Sequence, residues 1–352
     1  MEQALKHFQL NGKPISCCPH GEGHINLTYL VETDAGQRYI LQRLSRAAFQ
    51  NITGLMGNII AVTEFLTRKS TDARSCLHLV RTTDGAYYHR DEENEYWRVY
   101  DFIEDSLCLQ TAESPEDFYQ SALAFGRFQQ DLRDFPAETL CETIPDFHNT
   151  PDRYRKFRLA MEADSENRLR LVEPEVNFLL EREEEMGCLQ KMRENGDLPL
   201  RVTHNDTKLN NVMFDNVTRK ALCVIDLDTT MPGLVAYDFG DAIRFGASTA
   251  REDERDLSRV EMSLELFETY VRGFIPACGG LTAKETETLP LGAKTMTLEN
   301  GLRFLTDYLE GDHYYHIAYP EHNLVRCRAQ LKLVADMERK WPQMEEIVAH
   351  YC

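Results

Sequence analysis

The stretch HNDTKLNN, residues 204–211, leads into an apolar segment that ends in Ile225 and Asp226. It sets Asp206, then Asn211 five residues later, then Asp226 fifteen residues after that. Phosphoryl transfer from a nucleotide needs these groups. A carboxylate such as Asp206 takes the proton of an attacking hydroxyl, while an amide oxygen and a second carboxylate hold magnesium on the phosphates. Val212–Phe214 and Ala221–Ile225 read as a short hairpin joined by Asp215–Lys220. Hairpin ends are neighbours, so Asn211 and Asp226 converge on one ion, and magnesium needs few protein oxygens beside those of phosphate. Lys208, two residues beyond the base, is within reach of the transferred group. The alternative is a polar hairpin with solvated side chains. The apolar strand before Asp226 argues against it, because it draws that carboxylate inward.

The elements that must position these groups change character along the chain. The first hundred residues read mainly as strands and turns. Gly21–Asn26 is a small, polar turn, followed by a strand at Leu27–Glu32, a tight turn at Asp34–Gly36 and a strand at Arg38–Leu44. Leu55, Ile59, Val62 and Leu66 recur at helical spacing. Cys76–Thr82 and Tyr96–Ile103 are two further strand candidates. From Ser114 the period is helical: Ser114 caps, Pro115 takes the first position and Asp117 the third. Phe118, Ala122, Phe125, Gln129 and Leu132 then share a face. A further helix is expected over Pro174–Asn195, and the chain beyond Asp241 is mostly helical. The expectation is an α+β fold of two lobes. A small antiparallel-sheet lobe, residues 1–103, would bind nucleotide, and a larger helical lobe, residues 104–352, would carry catalysis and the acceptor.

The 352 residues are 42% hydrophobic and 28% charged, as in an ordinary globular protein, and carry a net charge of −19. Such a chain repels nucleic acid and anionic membrane surfaces. A polyanionic ligand therefore arrives with a divalent cation or meets a local basic pocket. The N-terminal stretch has no long apolar run, and no segment reaches the length of a membrane span. Ten scattered cysteines with no CxxC spacing suggest reduced thiols and a cytoplasmic protein.

HNDTKLNN with the later VIDLD resembles the catalytic loop and metal-binding strand of the aminoglycoside phosphotransferase and choline kinase family, which shares the protein-kinase fold. The resemblance gives His204 and Asp206 the places of the family's loop histidine and base. It gives Asn211 and Asp226 the places of its metal ligands. Asp238 and Asp241, in YDFGDA, fall where the family's aspartates brace the catalytic loop. GEGHINLTYLV, YILQRL, VIDLDTTMPG, YDFGDAIRFGAS and LRFLTDYLEGDHYY extend the likeness to the bacterial N-acetylhexosamine kinases, which phosphorylate the anomeric hydroxyl of N-acetylglucosamine and N-acetylgalactosamine.

That resemblance implies ATP as co-substrate, Mg2+ as cofactor and a small-molecule sugar as acceptor. Gly21, Gly23, His24 and Asn26 would lie over the nucleotide phosphates, glycine letting backbone N–H groups approach. Phe102 and Ile103 lie in the place of the adenine-binding linker. Kinases of this fold carry a lysine on the third strand, paired to a helix glutamate. Here the strand reads Tyr39-Ile40-Leu41-Gln42-Arg43, with no lysine, and the helix partner is either a neutral Asn58 or Glu64. Gln42 and Arg43 point to opposite faces, so only one meets the phosphates. Arg303, Asp307 and Tyr308 share one side of an expected helix, and with His24 they are the acceptor-binding candidates. Two readings compete with a sugar 1-kinase. One is a kinase of another small alcohol, such as an aminoglycoside, choline or an amino alcohol. The other is a catalytically dead kinase-like binding module.

Overall fold

A computed structural model describes residues 1–21 and 25–352 of the chain. The chain divides into two compact units that interleave in sequence. The first gathers residues 1–109, 131–145 and 211–232, and the second gathers 110–130, 146–210 and 233–352. Two segments that follow residue 109 in the sequence, 131–145 and 211–232, thus pack with the first unit.

The first unit is built on a five-stranded antiparallel sheet. Its strands are β1 (Pro14–Pro19), β2 (Leu27–Thr33), β3 (Arg38–Leu44), β4 (His89–Arg90) and β5 (Tyr96–Asp101), in the order β1-β2-β3-β5-β4. β2 and β3 are joined by a tight turn in which Gly36 takes φ 77°, a left-handed conformation that suits glycine. Val31, Tyr39, Leu41, Trp97 and Val99 bury one sheet face against Leu5 and Phe8. The helix Ile52–Thr67 begins at Asn51, whose side chain accepts the Gly54 N–H at 2.9 Å. It buries Leu55, Met56, Ile59 and Val62 at helical spacing.

Cys76–Thr82 is not a strand. It runs irregularly and touches the sheet through a bridge from Leu79 to Tyr100 and the Val80 N–H to the Val99 carbonyl at 2.9 Å. Strand-like composition alone does not secure a ladder, which also needs a partner in register. A second small sheet holds β6 (Ser106–Cys108), β8 (Val212–Asp215) and β9 (Ala221–Val224), the last two forming the expected hairpin.

In the second unit, β7 (Arg201–Thr203) precedes the polar loop, and helices supply the rest of the scaffold. The helix Leu289–Glu310 is buried along most of its length. It packs on Val235–Gly246, His322–Arg339 and Thr150–Ala163. Its approach to Val235–Gly246 depends on two glycines. A Cβ on Gly240 would stand 2.3 Å from the Gly292 carbonyl oxygen, and one on Gly292 equally close to that of Ala236. Leu298, Leu302, Leu305 and Leu309 form a core with Tyr154, Phe157, Leu324 and Cys327. The helix from Pro115 to Asp131 starts as expected, with Asp117 accepting the Ser114 N–H at 2.9 Å. The single helix expected over 174–195 is instead three short ones, Glu173–Leu180, Glu183–Met186 and Cys188–Glu194. Arg182 leaves helical geometry at φ −109° and ψ 3° inside the run of glutamates 181–185, whose like charges disfavour a continuous helix.

Among the described residues no helix is long and apolar enough to cross a membrane. All ten cysteines are free thiols.

Candidate active site

The polar loop after β7 is held by carboxylates from the first turns of the helix Val235–Gly246. Asp238 is fully buried. It accepts the His204 N–H at 2.9 Å, the Asn205 N–H at 2.7 Å and the Gln129 amide at 2.8 Å. Burial raises its pKa, against the pull of those donors. One helical turn on, Asp241 accepts the Thr207 N–H at 3.0 Å and pairs with Arg244 at 2.9 Å. The Thr207 hydroxyl donates to the Asp238 carbonyl at 2.5 Å. The buried His204 ring lies edge-on between Phe125 and Phe128 and accepts the Asp206 N–H at 3.3 Å through Nδ1. Asn205 takes φ 64°, a left-handed conformation that asparagine tolerates and that turns the chain sharply before Asp206.

This frame fixes the backbone on both sides of Asp206. The side chain remains partly exposed, at 28%, with Lys208 Nζ 2.7 Å from Oδ1. Asp206 raises the Lys208 pKa well above the usual lysine range, outweighing burial, so Lys208 is cationic at neutral pH. The loop can thus present a half-buried carboxylate with a cation beside it, the pairing that suits proton abstraction next to a phosphoryl group.

In the first unit, Asn211 and Asp226 stand at adjacent ends of the β8–β9 hairpin. Val212 pairs with Val224, and the Ile225 N–H donates to the Asn211 carbonyl at 2.9 Å. Asp226 takes φ 59° and ψ 57°, a strained conformation for a non-glycine residue and one found preferentially at functional sites. One amide and one carboxylate in this arrangement fit magnesium, which completes its shell with water and phosphate oxygens. Among the described residues no group of three or more His, Cys, Asp or Glu side chains is placed to hold a metal ion.

The third-strand question has a geometric answer. Gln42 donates to the Thr28 hydroxyl at 3.0 Å and accepts from Arg98 Nε at 2.9 Å. Arg43 lies at the surface, 4.0 Å from Glu95, with the two side chains 39% and 31% exposed. Arg98 comes from β5, directly across from Gln42, and is only 1% exposed. Its Nη1 lies 2.6 Å from Asp228. Sequence reasoning missed Arg98 and Asp228, although an arginine inside the apolar strand YWRVYD was a usable signal. Asn58 does not join this network. Its amide pins the backbone at Cys141 and Thr230.

The remaining nucleotide candidates are dispersed. Gly21 takes φ 77°, and among the described residues nothing lies within 4 Å of where its Cβ would stand. Gly23 and His24 lie outside the described residues. Asn26 is buried and donates to Asp228 Oδ2 at 2.6 Å while accepting the Ser45 N–H at 2.9 Å. The Phe102 N–H is spent on the Arg38 carbonyl at 3.2 Å, and the Ile103 carbonyl accepts the Ser106 hydroxyl at 2.5 Å. The Phe102 ring lies under the Arg38 guanidinium at 4.1 Å.

The acceptor candidates separate. Asp307 is buried and accepts the N–H groups of His313, Tyr314 and Tyr315 at 2.7–3.0 Å, together with the Asn323 amide. It shapes the loop after its helix. Tyr308 lies in the core, with Arg168 over its ring at 4.5 Å. Arg303 alone joins a polar cluster, its guanidinium 5.4–5.8 Å from the rings of Phe147, Tyr314 and Tyr315. One turn earlier, buried Glu299 accepts from His148 Nδ1 at 2.9 Å and the Thr150 hydroxyl at 2.7 Å. Among the described residues, His148 Nε2 and the Tyr315 hydroxyl are buried with no hydrogen-bond partner. The His148 ring also packs at 5.1 Å on Tyr237, the residue before Asp238.

Comparison with known proteins bears on the fold and the family. The model of the phosphotransferase enzyme family matches residues 16–269, well over half the chain. The fold is similar to that of a microcompartment-associated aminopropanol kinase, at 18% identity and TM-score 0.66 over 98% of this chain and 97% of that one. It is similar to an aminoglycoside phosphotransferase from Alicyclobacillus acidocaldarius, at 13% identity and TM-score 0.65 over 99% and 96%. It is also similar to an amicoumacin kinase in complex with AMP-PNP and Ca2+, at 13% identity and TM-score 0.63 over 94% and 91%. At these identities the structural likeness speaks for the fold. Taken with the family match, it means that the chain belongs to the phosphotransferase enzyme family, the aminoglycoside phosphotransferase and choline kinase-like group of small-molecule kinases that phosphorylate alcohols.

Proposed function

We propose that this protein transfers the γ-phosphoryl group of ATP to the anomeric hydroxyl of an N-acetylhexosamine, N-acetylglucosamine or N-acetylgalactosamine, giving the sugar 1-phosphate and ADP in the cytoplasm. The first unit binds the nucleotide, and the second holds the acceptor and the base. Asp206 orients the hydroxyl and takes its proton as the oxygen attacks the γ-phosphorus and the bond to the β-phosphate bridge oxygen breaks. Lys208 offsets charge on the moving group. Asn211 and Asp226 would hold magnesium, which neutralises phosphate charge when bound. Such catalysis is mainly positioning and electrostatics, and the fixed backbone around Asp206 supports that role.

The observation that carries the acceptor assignment is the Arg303 cluster. Its aromatic rings already face a guanidinium. Arg153 lies close enough for Arg303 to help burial depress its pKa, so two cations meet here. A site for choline, an amino alcohol or an aminoglycoside would instead offer aromatic faces or carboxylates to an incoming cation. Glu299 is occupied by His148 and Thr150. The cluster offers what an uncharged polyol with an acetamido group needs: guanidinium donors, an imidazole nitrogen, a phenol and an aromatic face.

The test is an acceptor panel with ATP and magnesium, read by phosphorus NMR. The expected product is a sugar 1-phosphate from both N-acetylhexosamines, since one epimeric hydroxyl gives little discrimination unless the site hydrogen-bonds it. A 6-phosphate, or transfer only to amino alcohols, rejects the assignment. Absence of any magnesium-dependent turnover would instead support a binding module.

A further inference from the structure

The nucleotide half of a kinase of this fold needs a fixed cation beside the phosphates, and strand β3 offers none inside the sheet. The geometry points to Arg98, on the neighbouring strand β5, as the positioning residue that fills this place. It does so through Gln42 and Asp228, and it ties Asn26 to the segment after β9 that carries Asp226.

Gln42 and Arg98 are directly opposed in the antiparallel pair β3–β5. Opposed residues project to the same sheet face, so a cation at 98 can occupy space that a lysine at 42 would otherwise fill. Arg98 is 1% exposed, and a buried guanidinium is tolerated only when its donors are engaged. Nε donates to Gln42 Oε1 at 2.9 Å, and Nη1 lies 2.6 Å from Asp228 Oδ1. The chain of contacts continues in both directions. Gln42 is held by the Thr28 hydroxyl at 3.0 Å. Asp228 Oδ2 accepts from Asn26 at 2.6 Å, and Asn26 Oδ1 accepts the Ser45 N–H at 2.9 Å.

This network joins β2, β3, β5 and the segment after β9. A purely structural ion pair would not need to end on these two sites. Asp228 is two residues beyond Asp226, and Asn26 closes the turn read as the phosphate loop. A neutral glutamine at 42 is also explained, because a second cation there would face Arg98 across the ladder. Asp228 without Arg98 would be a buried, unneutralised carboxylate next to the proposed magnesium ligand, and its charge would reshape that site. Arg98 thus sets the position of Asn26 and the net charge around Asp226, and acts on nucleotide binding through both.

The inference rests on the phosphotransfer reading but not on the acceptor, so the experiment measures nucleotide binding alone. Fluorescent ATP-analogue titrations with magnesium would be run on wild type and three variants, each first checked by thermal unfolding. Arg98→Lys keeps the charge and should lose no more than about threefold in affinity. Arg98→Met with Asp228→Asn removes both charges together and avoids an orphaned carboxylate. It should fold and bind about tenfold or more weaker, the scale of a lost charged hydrogen bond. Arg98→Met with Gln42→Lys moves the cation to β3 and should recover most of that loss. Wild-type affinity in a folded Arg98→Met, Asp228→Asn protein would overturn the proposal, as would a relocated lysine that folds but restores nothing. If neither double variant folds, Arg98→Lys decides. An affinity loss of tenfold or more in that folded, charge-preserving variant would mean that charge is not what position 98 supplies. Wild-type protein that binds the analogue yet phosphorylates no sugar would reject the acceptor assignment and leave this inference standing.

Discussion

In the second unit, Asp238 and Asp241 sit one turn apart on a single helix and accept backbone N–H groups from the loop at 204–207. In the first unit, Asp228 faces a guanidinium from β5 and an amide from residue 26. Both arrangements stabilise buried carboxylates, but by different means: hydrogen bonds in one, an ion pair and one amide in the other. A backbone donor belongs to whatever residue stands there, so the second arrangement survives side-chain change around the loop. The first depends on three particular side chains brought together from distant parts of the sequence. The loop that carries the proposed base is therefore held by its main chain, and the proposed nucleotide half by side-chain charge.

The sharpest way to break the comparison is at the base. Asp206→Asn leaves both frames intact and removes the proton acceptor together with its negative charge beside Lys208. The rate at saturating substrates is expected to fall by ~10²–10⁴-fold, with modest change in either Michaelis constant. Near-wild-type turnover would place the base elsewhere and make the frame around residue 206 a purely structural feature.

Asp238→Asn tests the frame itself. It replaces a carboxylate that accepts three N–H donors with an amide whose nitrogen must face one of them. The expected cost is on the order of 2–4 kcal/mol, from weakened charge-assisted bonds and a misplaced buried donor. Denaturant unfolding gives the stability, and kcat should fall with it, because the backbone of residues 204–206 loses its anchor. A variant as stable as wild type would show that the loop holds itself.

Arg303→Ala probes the acceptor cluster and should spare the nucleotide half. The Michaelis constant for the sugar is expected to rise about tenfold, the scale of one charged hydrogen bond, with that for ATP unchanged. Equal rises in both constants would remove Arg303 from the acceptor and return it to the scaffold.

Legibility in the sequence followed the same division. HNDTKLNN, the hairpin after it and the paired aspartates of YDFGDA were readable because each relation spans a few residues or one hairpin. β2, β3 and β5 were readable from composition and turn signals, and the helices at 52–67 and 115–131 from their period, the second also from its cap, whereas β1 and β4 were not read at all. Asp307 and Tyr308 share a helical side with Arg303 by spacing, yet one holds a loop and the other lies in the core. Spacing fixes a face but does not say what packs against it. Arg98 and Asp228 are separated by 130 residues, and their pairing depends on which strand lies beside β3. Periodicity does not carry strand order, so the cation was sought on β3 itself, at Gln42 or Arg43.

Arg43 offers the finest test of that point, because here the expected effect is close to nothing. It precedes Leu44 on the strand where a kinase lysine would be sought, and it carries the right charge. Strand alternation turns it away from Gln42, to an exposed site with Glu95 at 4.0 Å. An exposed pair at that distance contributes little, so Arg43→Ala should shift stability by less than about 0.5 kcal/mol. The affinity for a fluorescent ATP analogue should stay within about twofold of wild type, since screening by solvent leaves a surface charge little hold on a distant phosphate. A tenfold loss on Arg43→Ala would mean that this side chain reaches the phosphates when nucleotide binds. The charge of the nucleotide half would then come from β3 after all, and the contrast between a main-chain frame in one unit and the Arg98 network in the other would have to be redrawn.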